Sequence, residues 1–281
     1  MIRAAIVGIG RWGRTLVNSV QGKSSAIRFT AGCTRTRASA EEFCAANGIT
    51  LKDDLGQILA DPAIDAVVFA TPHSQHGAQV ERAAAAGKHV LMEKPFTLDV
   101  ASAKAALDGV ARSGILLGVA FPRRFHPAMI ELKARIADGR LGTLSHCESA
   151  QASPTGLTMP PDYWRSDPRE APAGAMTATG VHNLDAVIYL FGKIEEVYCR
   201  SLPRVMPRLE DTTTVHVGPR ERDVGHPLLF ACHSAELPLC GLRHQGLGRA
   251  RDTRTRIPLY AGDRAAAHRP AQSFAARDHR I

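Results

Sequence analysis

Apolar residues follow two alternating rhythms over the first 120 positions. Continuous apolar runs at Ile2–Val7, Ile27–Cys33, Ala66–Ala70, His89–Met92 and Ile115–Val119 predict short buried strands. Between them the apolar spacing becomes helical, as in Trp12, Leu16 and Val20. The segments Ser39–Asn47, Leu55–Ala60, Ser74–Ala86 and Val100–Arg112 follow the same rule. Strands that alternate with helices of this length predict βαβ units, hence a parallel sheet covered on both faces. Residues 1–120 therefore read as one doubly wound α/β domain of the Rossmann type.

After "AFPRRFHP" the rhythm changes. Apolar residues at 129, 132 and 136 predict a helix over Ala128–Asp138, ended by Gly139. A strand is predicted over Leu141–Gln151, then a Pro-rich loop, a helix over Ala175–Phe191, and strands over Glu196–Ser201 and Thr212–Val217. This is an α+β domain over 121–217 with a mostly antiparallel open sheet, predicted to be incomplete. Residues 218–281 give scattered Arg, Pro, His and Ala with weak periodicity, and read as an atypical, poorly ordered tail.

Charge sharpens that boundary. The chain of 281 residues carries +8, but residues 217–281 hold eleven arginines against six acids. All seven lysines lie earlier, in a body that is nearly balanced. The six cysteines form no CxxC pair, so they read as core residues or free thiols. No apolar run approaches the length of a membrane span, and the first strand starts at Ile2 with no apolar leader ahead of it. These features predict a cytoplasmic protein with no membrane partner and no bound metal.

The chemistry starts at "GIGRWG", which sets Gly8, Gly10 and Gly13 in the GxGxxG spacing between a strand and a helix. The first glycine makes the turn and the second admits a pyrophosphate. The third lets helix and strand pack closely, with free N–H groups at the helix start. At the end of the second strand, "CTRTRAS" offers Thr34, Arg35 and Arg37 and no acid before Glu41. An acid there suits the ribose 2′-hydroxyl of NAD, whereas Arg and hydroxyl groups suit the 2′-phosphate of NADP. NADP is therefore the expected cofactor, with NAD possible; a solvated basic loop is the alternative reading.

Two more motifs, "FATPHSQH" and "HVLMEKPF", follow the next strands and so lie at the carboxyl edge of the sheet. They add Thr71, Pro72, His76, Glu93 and Lys94 to the turn residues Gly8, Gly10, Arg11, Trp12 and Gly13 as candidate cofactor contacts. Taken in order, "GIGRWG", "ATPHSQH", "LMEKPFTLD", "GVAFPRRFHPA" and "GAMTATGVHNLD" resemble the Gfo/Idh/MocA oxidoreductases over residues 1–217.

That resemblance implies a Rossmann domain followed by an open-sheet substrate domain. It also implies NAD(P)-dependent hydride transfer on a sugar, a polyol or a related small molecule, in a homo-oligomer. It assigns Lys94 to the reacting oxygen and His182 to proton transfer, with a cis bond before Pro95. Arg123, Arg124, Trp164, Arg165 and Asp185 become candidate substrate contacts, although Tyr163 and Trp164 could equally be packing residues. Many members carry an aspartate four residues before the histidine; here that position is Ala178. A catalytically degenerate, cofactor-binding regulator or scaffold therefore stays open as an alternative.

The tail has its own puzzle. "PLCGLRHQGLGRARDTRTR" at 238–256 resembles a nucleic-acid arm. Yet codons compatible with residues 234–249, read one base over, can spell "APNFRFAVYGTKGLGE", which is similar to the family's later strand–turn–strand signature. The tail is expected to be an out-of-frame product from near residues 216–220, which makes a nucleic-acid partner the weakest of the readings.

Overall fold

The computed structural model describes residues 1–144, 146–206, 208–219 and 228–233, with the side chains of 155, 157, 219 and 228–233 left out. Six parallel strands form the first sheet: β1 (Ile2–Val7), β2 (Ile27–Cys33), β3 (Thr50–Leu51), β4 (Ala66–Phe69), β5 (His89–Met92) and β6 (Leu117–Val119). Their spatial order is β3-β2-β1-β4-β5-β6, so the chain reverses direction across the sheet between β1 and β4. A crevice opens at such a reversal, outside the strands' carboxyl ends.

The crossovers are helical: α1 (Arg11–Val20), α2 (Glu41–Ala46), α3 (Leu55–Ala60), α4 (His76–Ala85) and α5 (Val100–Ser113). Alternate residues of β1 feed opposite cores. Ala4 and Ile6 pack with Val17, Phe29, Cys44 and Val68 on one face. Ala5 and Val7 pack with Ile58, Phe69, Val80 and Met92 on the other. The continuous apolar strands of the sequence are thus explained by burial on both sides. β3 has only two residues, too short to leave a periodic signal.

The second layer begins with α6 (Pro127–Ala137), whose N-cap is His126. α7 (Val181–Phe191) packs with α6 on the second sheet, joining Met129, Leu132, Val187, Leu190, Phe191, Val215 and Val217 in one core. That sheet contains β7 (Glu148–Ala152), β8 (Ile194–Leu202), β9 (Thr212–Pro219) and β10 (Leu228–His233), in the order β7-β10-β9-β8. The β8–β9 and β9–β10 pairs are antiparallel and β10–β7 is parallel.

Three expectations need correction. The strand predicted from Leu141 begins only at Glu148, because Gly139 and Gly142 take positive φ (74° and 65°) and turn the chain after α6. The helix predicted over Ala175–Phe191 opens with a π-helical turn at Met176–Gly180 before regular α7 starts. The sheet also does not stop at residue 217: β9 runs to Pro219, and β10, inside the predicted tail, pairs with both β7 and β9. Residues 220–227 and 234–281, with the Arg-rich stretch and the offset-frame match, lie outside the described residues.

Among the described residues, no helix is long and apolar enough to cross a membrane, and no group of three His, Cys, Asp or Glu is placed to hold a metal ion.

Candidate functional site

The turn after β1 is shaped by contacts that exclude side chains. Gly8 has φ +93°, and a Cβ on it would lie 2.4 Å from the Ala70 carbonyl oxygen. A Cβ on Gly13 would lie 2.0 Å from the Gly8 oxygen, so the third glycine lets α1 sit on the turn. Gly10 differs: nothing stands within 4 Å of its added Cβ. It is the N-cap of α1, with no side-chain cap and no acid in the first turn. The first N–H groups of α1 therefore remain available to an anion.

Around this turn lies a cleft of about 520 Å³, lined among others by Gly8, Gly10, Thr34, Arg35, Thr71, Pro72 and Trp164. Asp53 and Asp54 line it as well. These dimensions and the uncapped helix fit a dinucleotide. Thr71 is oriented by its hydroxyl, which donates to Gln79 Oε1 at 2.6 Å.

Not every predicted contact faces the cleft. Arg37 turns its guanidinium to Asp53 (2.9 Å) and Glu41 (3.6 Å), leaving Arg35 as the cleft's arginine from this loop. Arg11 is exposed at the first turn of α1. Trp12 reaches across the turn, and its indole Nε1 donates to Glu93 Oε1 at 2.6 Å. His76 is fully buried. Its Nδ1 meets the Pro95 carbonyl at 2.7 Å and its Nε2 meets Thr71 O at 3.2 Å. It ties the two strand-end loops together.

The Lys94–Pro95 peptide is cis, as expected. Lys94 Nζ donates to the Ala178 carbonyl oxygen at 2.6 Å, which spans from the Rossmann domain to the π-helical turn. Burial brings the Lys94 ammonium down to about 8; Glu93 opposes that fall, while Arg165 and Arg123 add to it. On α7, His182 is pushed down to about 3 by burial and by the charges of Lys94 and Arg123. Its Nδ1 is buried without a partner, and its ring stands edge-on to Phe121 with centroids 6.0 Å apart.

Asp185 does not serve His182. Its carboxylate is buried and takes the Arg124 guanidinium bidentately, with Nε contacts of 3.0 and 2.9 Å. Asp185 and Arg124 thus hold each other across the domain. Arg123 projects differently, donating to Asn183 Oδ1 and to Gln151 Oε1 (2.5 Å). The Arg165 guanidinium lies over the Trp164 ring at 4.6 Å, and that ring packs edge-on to His73 with centroids 4.9 Å apart.

Several participants had no sequence signal. Glu170 joins the two domains: its carbonyl meets His73 Nδ1 at 2.7 Å and its carboxylate accepts from Ser74 N (2.9 Å) and Ser74 Oγ. It lies in the Pro-rich loop, where no periodicity marks it. Asn183 and Gln151 are ordinary helix and strand residues until Arg123 brings them together. Asp53 and Asp54 come from the far wall of the cleft, after β3, a strand too short to predict.

Comparison with known proteins agrees with this architecture. Residues 2–121 match the GFO_IDH_MocA oxidoreductase family with its NAD-binding Rossmann fold, and residues 129–219 match a GFO/IDH/MocA C-terminal domain. The scyllo-inositol 2-dehydrogenase (NAD(+)) of Bacillus subtilis is 37% identical over 146 residues, covering 50% of this chain and 42% of its own. The inositol 2-dehydrogenase of Rhizobium meliloti is 31% identical over 192 residues, covering 68% and 56%. The chain thus spans about half the length of these curated relatives. The scyllo-inositol dehydrogenase of Lactobacillus casei, solved with NAD(H) and scyllo-inositol, shares the fold at 21% identity and a TM-score of 0.73, covering 83% of this chain and 70% of its own. With both domains matched in order over residues 2–121 and 129–219, the chain belongs to the Gfo/Idh/MocA oxidoreductase family.

Proposed function

We propose that this chain is an NAD(P)-dependent dehydrogenase that interconverts a hydroxyl and a carbonyl on a sugar, a polyol or a related small molecule. The observation that carries the reading is Lys94, held by the Ala178 carbonyl at 2.6 Å within electrostatic reach of His182, whose Nδ1 has no hydrogen-bond partner. The named relatives, which are inositol dehydrogenases, support the substrate class.

Bound in the cleft, the nicotinamide cofactor supplies a hydride acceptor or donor. The chain's own groups handle the proton and the charge. His182, pushed down by burial and by the charges of Lys94 and Arg123, is held neutral, with Nδ1 open to a hydrogen bond from the substrate hydroxyl. Lys94, at about 8, keeps its ammonium at neutral pH and stabilises the negative charge that develops on the reacting oxygen. In the reducing direction, Lys94 is the group of the two able to release a proton near neutrality.

The finer cofactor choice is NADP. Arg35 faces the cleft at the end of β2, where an acid would favour the 2′-hydroxyl. Titration of nicotinamide fluorescence tests both points. NADPH is expected to bind about tenfold more tightly than NADH, and Arg35→Met to erase the difference. Absence of binding by either dinucleotide at millimolar concentration would overturn the dehydrogenase reading; equal affinities would overturn only the NADP preference.

A further inference from the structure

Two arginines follow the end of β2, and the structure places them differently. Arg35 lines the cleft, together with its neighbours Thr34 and Thr36 and with Ser39. Arg37 lies between Thr36 and Ser39, at the start of a one-turn helix (Arg37–Ser39), so the chain carries it along the same wall. Its guanidinium is drawn aside: Nη1 donates to Asp53 Oδ1 at 2.9 Å, and Nε stands 3.6 Å from Glu41 Oε1.

Asp53 comes from the neighbouring strand. β3 pairs with β2 at Ala31 and Gly32, and the Lys52 N–H extends that pairing to the Gly32 carbonyl at 2.9 Å. The sheet therefore delivers Asp53 to the cleft beside the end of β2, where the sequence itself has no acid before Glu41. Gln57 braces it: the Asp53 N–H donates to Gln57 Oε1 and Gln57 Nε2 donates to Asp53 Oδ2, both at 3.1 Å. Asp54 also lines the cleft, but its carboxylate is committed as the N-cap of α3, accepting from the Gln57 N–H at 2.9 Å. Asp53 is thus the acid that meets both the cleft and Arg37.

We infer that Asp53 is a specificity-determining residue for the cofactor: it limits the preference for NADP, by opposing a 2′-phosphate and by holding Arg37 away from it. This rests on the dinucleotide reading of the cleft, with the adenosine ribose at the end of β2 as Rossmann sites place it. An acid there favours a ribose hydroxyl, whereas an arginine favours a phosphate. The acid absent from β2 is supplied across the strand pair by β3, and it works against Arg35 while withdrawing Arg37. The Arg37 and Asp53 side chains are 50% and 72% exposed, so their pairing is screened and weak. A phosphate, with more charge and more acceptor oxygens than a carboxylate, competes for Arg37 at a cost of up to about fivefold in affinity.

Fluorescence titration of NADPH and NADH into the full chain tests the inference through the ratio of the two dissociation constants. Asp53→Asn keeps an acceptor for Gln57 and removes the charge. It is expected to raise the preference for NADPH about fivefold, with NADH changed by less than about twofold. Arg37→Met alone should leave the ratio within about twofold of the wild type, because Asp53 already holds that arginine. In Asp53→Asn/Arg37→Met the gain should disappear, and Asp53→Glu, which keeps the charge, should show none. Adenosine 2′,5′-bisphosphate and adenosine 5′-monophosphate repeat the comparison without the nicotinamide, and thermal unfolding checks the fold of each variant.

The inference is overturned if Asp53→Asn leaves the ratio unchanged, if its gain survives in the double variant, or if Arg37→Met alone weakens NADPH. It is also overturned if Asp53→Asn weakens both dinucleotides alike, since Asp53 would then contact a part that the two share. Equal wild-type affinities would remove the NADP preference alone, because the inference is read from the change in ratio. Binding of neither dinucleotide by any of the proteins would remove it together with the dehydrogenase reading, whereas an unchanged ratio with intact binding removes only the inference.

Discussion

His73 offers a direct measure of how the second domain is held against the Rossmann sheet. Its ring is buried at 3% exposure, between the Glu170 carbonyl and the Trp164 indole. Burial, with the charges of His76, Arg165 and Lys94, brings it from 6.5 to about 4, against a smaller upward pull from its hydrogen bond to Glu170. The unfolded chain therefore takes up a proton near pH 6.5, whereas the native protein does so only near 4. Stability from this group is full above pH 6.5 and is lost as pH falls toward 4. At about 1.4 kcal/mol per pH unit, the interval amounts to about 3 kcal/mol from one ring.

The experiment is urea unfolding of the full chain at pH values between 7 and 4.5, followed by tryptophan fluorescence. Trp164 packs on His73 and so reports the local contact. Asparagine can keep the donor to Glu170 while removing the proton site, which makes His73→Asn the appropriate variant. Its stability should decline less steeply than the wild type's, by about 1.4 kcal/mol per pH unit across the middle of the range. The remaining slope belongs to groups such as His182 and His76, both of which burial also lowers. Equal slopes in the two proteins would refute the argument, because they would mean that His73 binds its proton equally well folded and unfolded.

Other expectations follow from the site's geometry. Gly13→Ala must displace α1, since its Cβ would lie 2.0 Å from Gly8 O; thermal unfolding should show a loss above ~2 kcal/mol. Gly10→Ala meets nothing within 4 Å, so it should fold normally in the same assay while dinucleotide affinity falls in a fluorescence titration. Lys94→Met should lower kcat by roughly 10²–10³ in steady-state kinetics, as loss of one oxyanion donor does, with little change in dinucleotide Kd. For the oxidative direction, kcat/KM should fall above about pH 8 as the Lys94 ammonium is lost. In a pH–rate profile, Glu93→Gln should move that limb lower, because Glu93 is the charge that holds the ammonium up.

The Rossmann half was legible because each of its signals is local. Strands buried on both faces give continuous apolar runs, and a turn that excludes two Cβ atoms gives glycines at fixed spacing. In the second domain α6, α7 and β9 were legible because each has a single buried face, and β8, exposed along its length, from its β-favouring residues such as Val197 and Tyr198. β7 shifted by several residues because the apolar run that predicted it begins inside a glycine turn. β10 was missed although Leu228–Cys232 is a continuous apolar run, because the segment was assigned to an out-of-frame tail; its place between β7 and β9 depends on pairing partners distant in sequence.

The site divides along the same line. Lys94 and His182 could be named from motifs, but what each one touches could not. A motif displays side chains, whereas the partner of Lys94 is a backbone carbonyl, which every residue type possesses. Ala178 therefore looked in sequence like a loss, a position without a carboxylate. In the structure, the π-helical turn at Met176–Gly180 presents its carbonyl to the lysine. A carbonyl can accept the ammonium's hydrogen bond without adding a full negative charge, so it orients Lys94 while leaving the ammonium less stabilised than a carboxylate would. The same position thus keeps the lysine in place and lets burial bring its ammonium down to about 8.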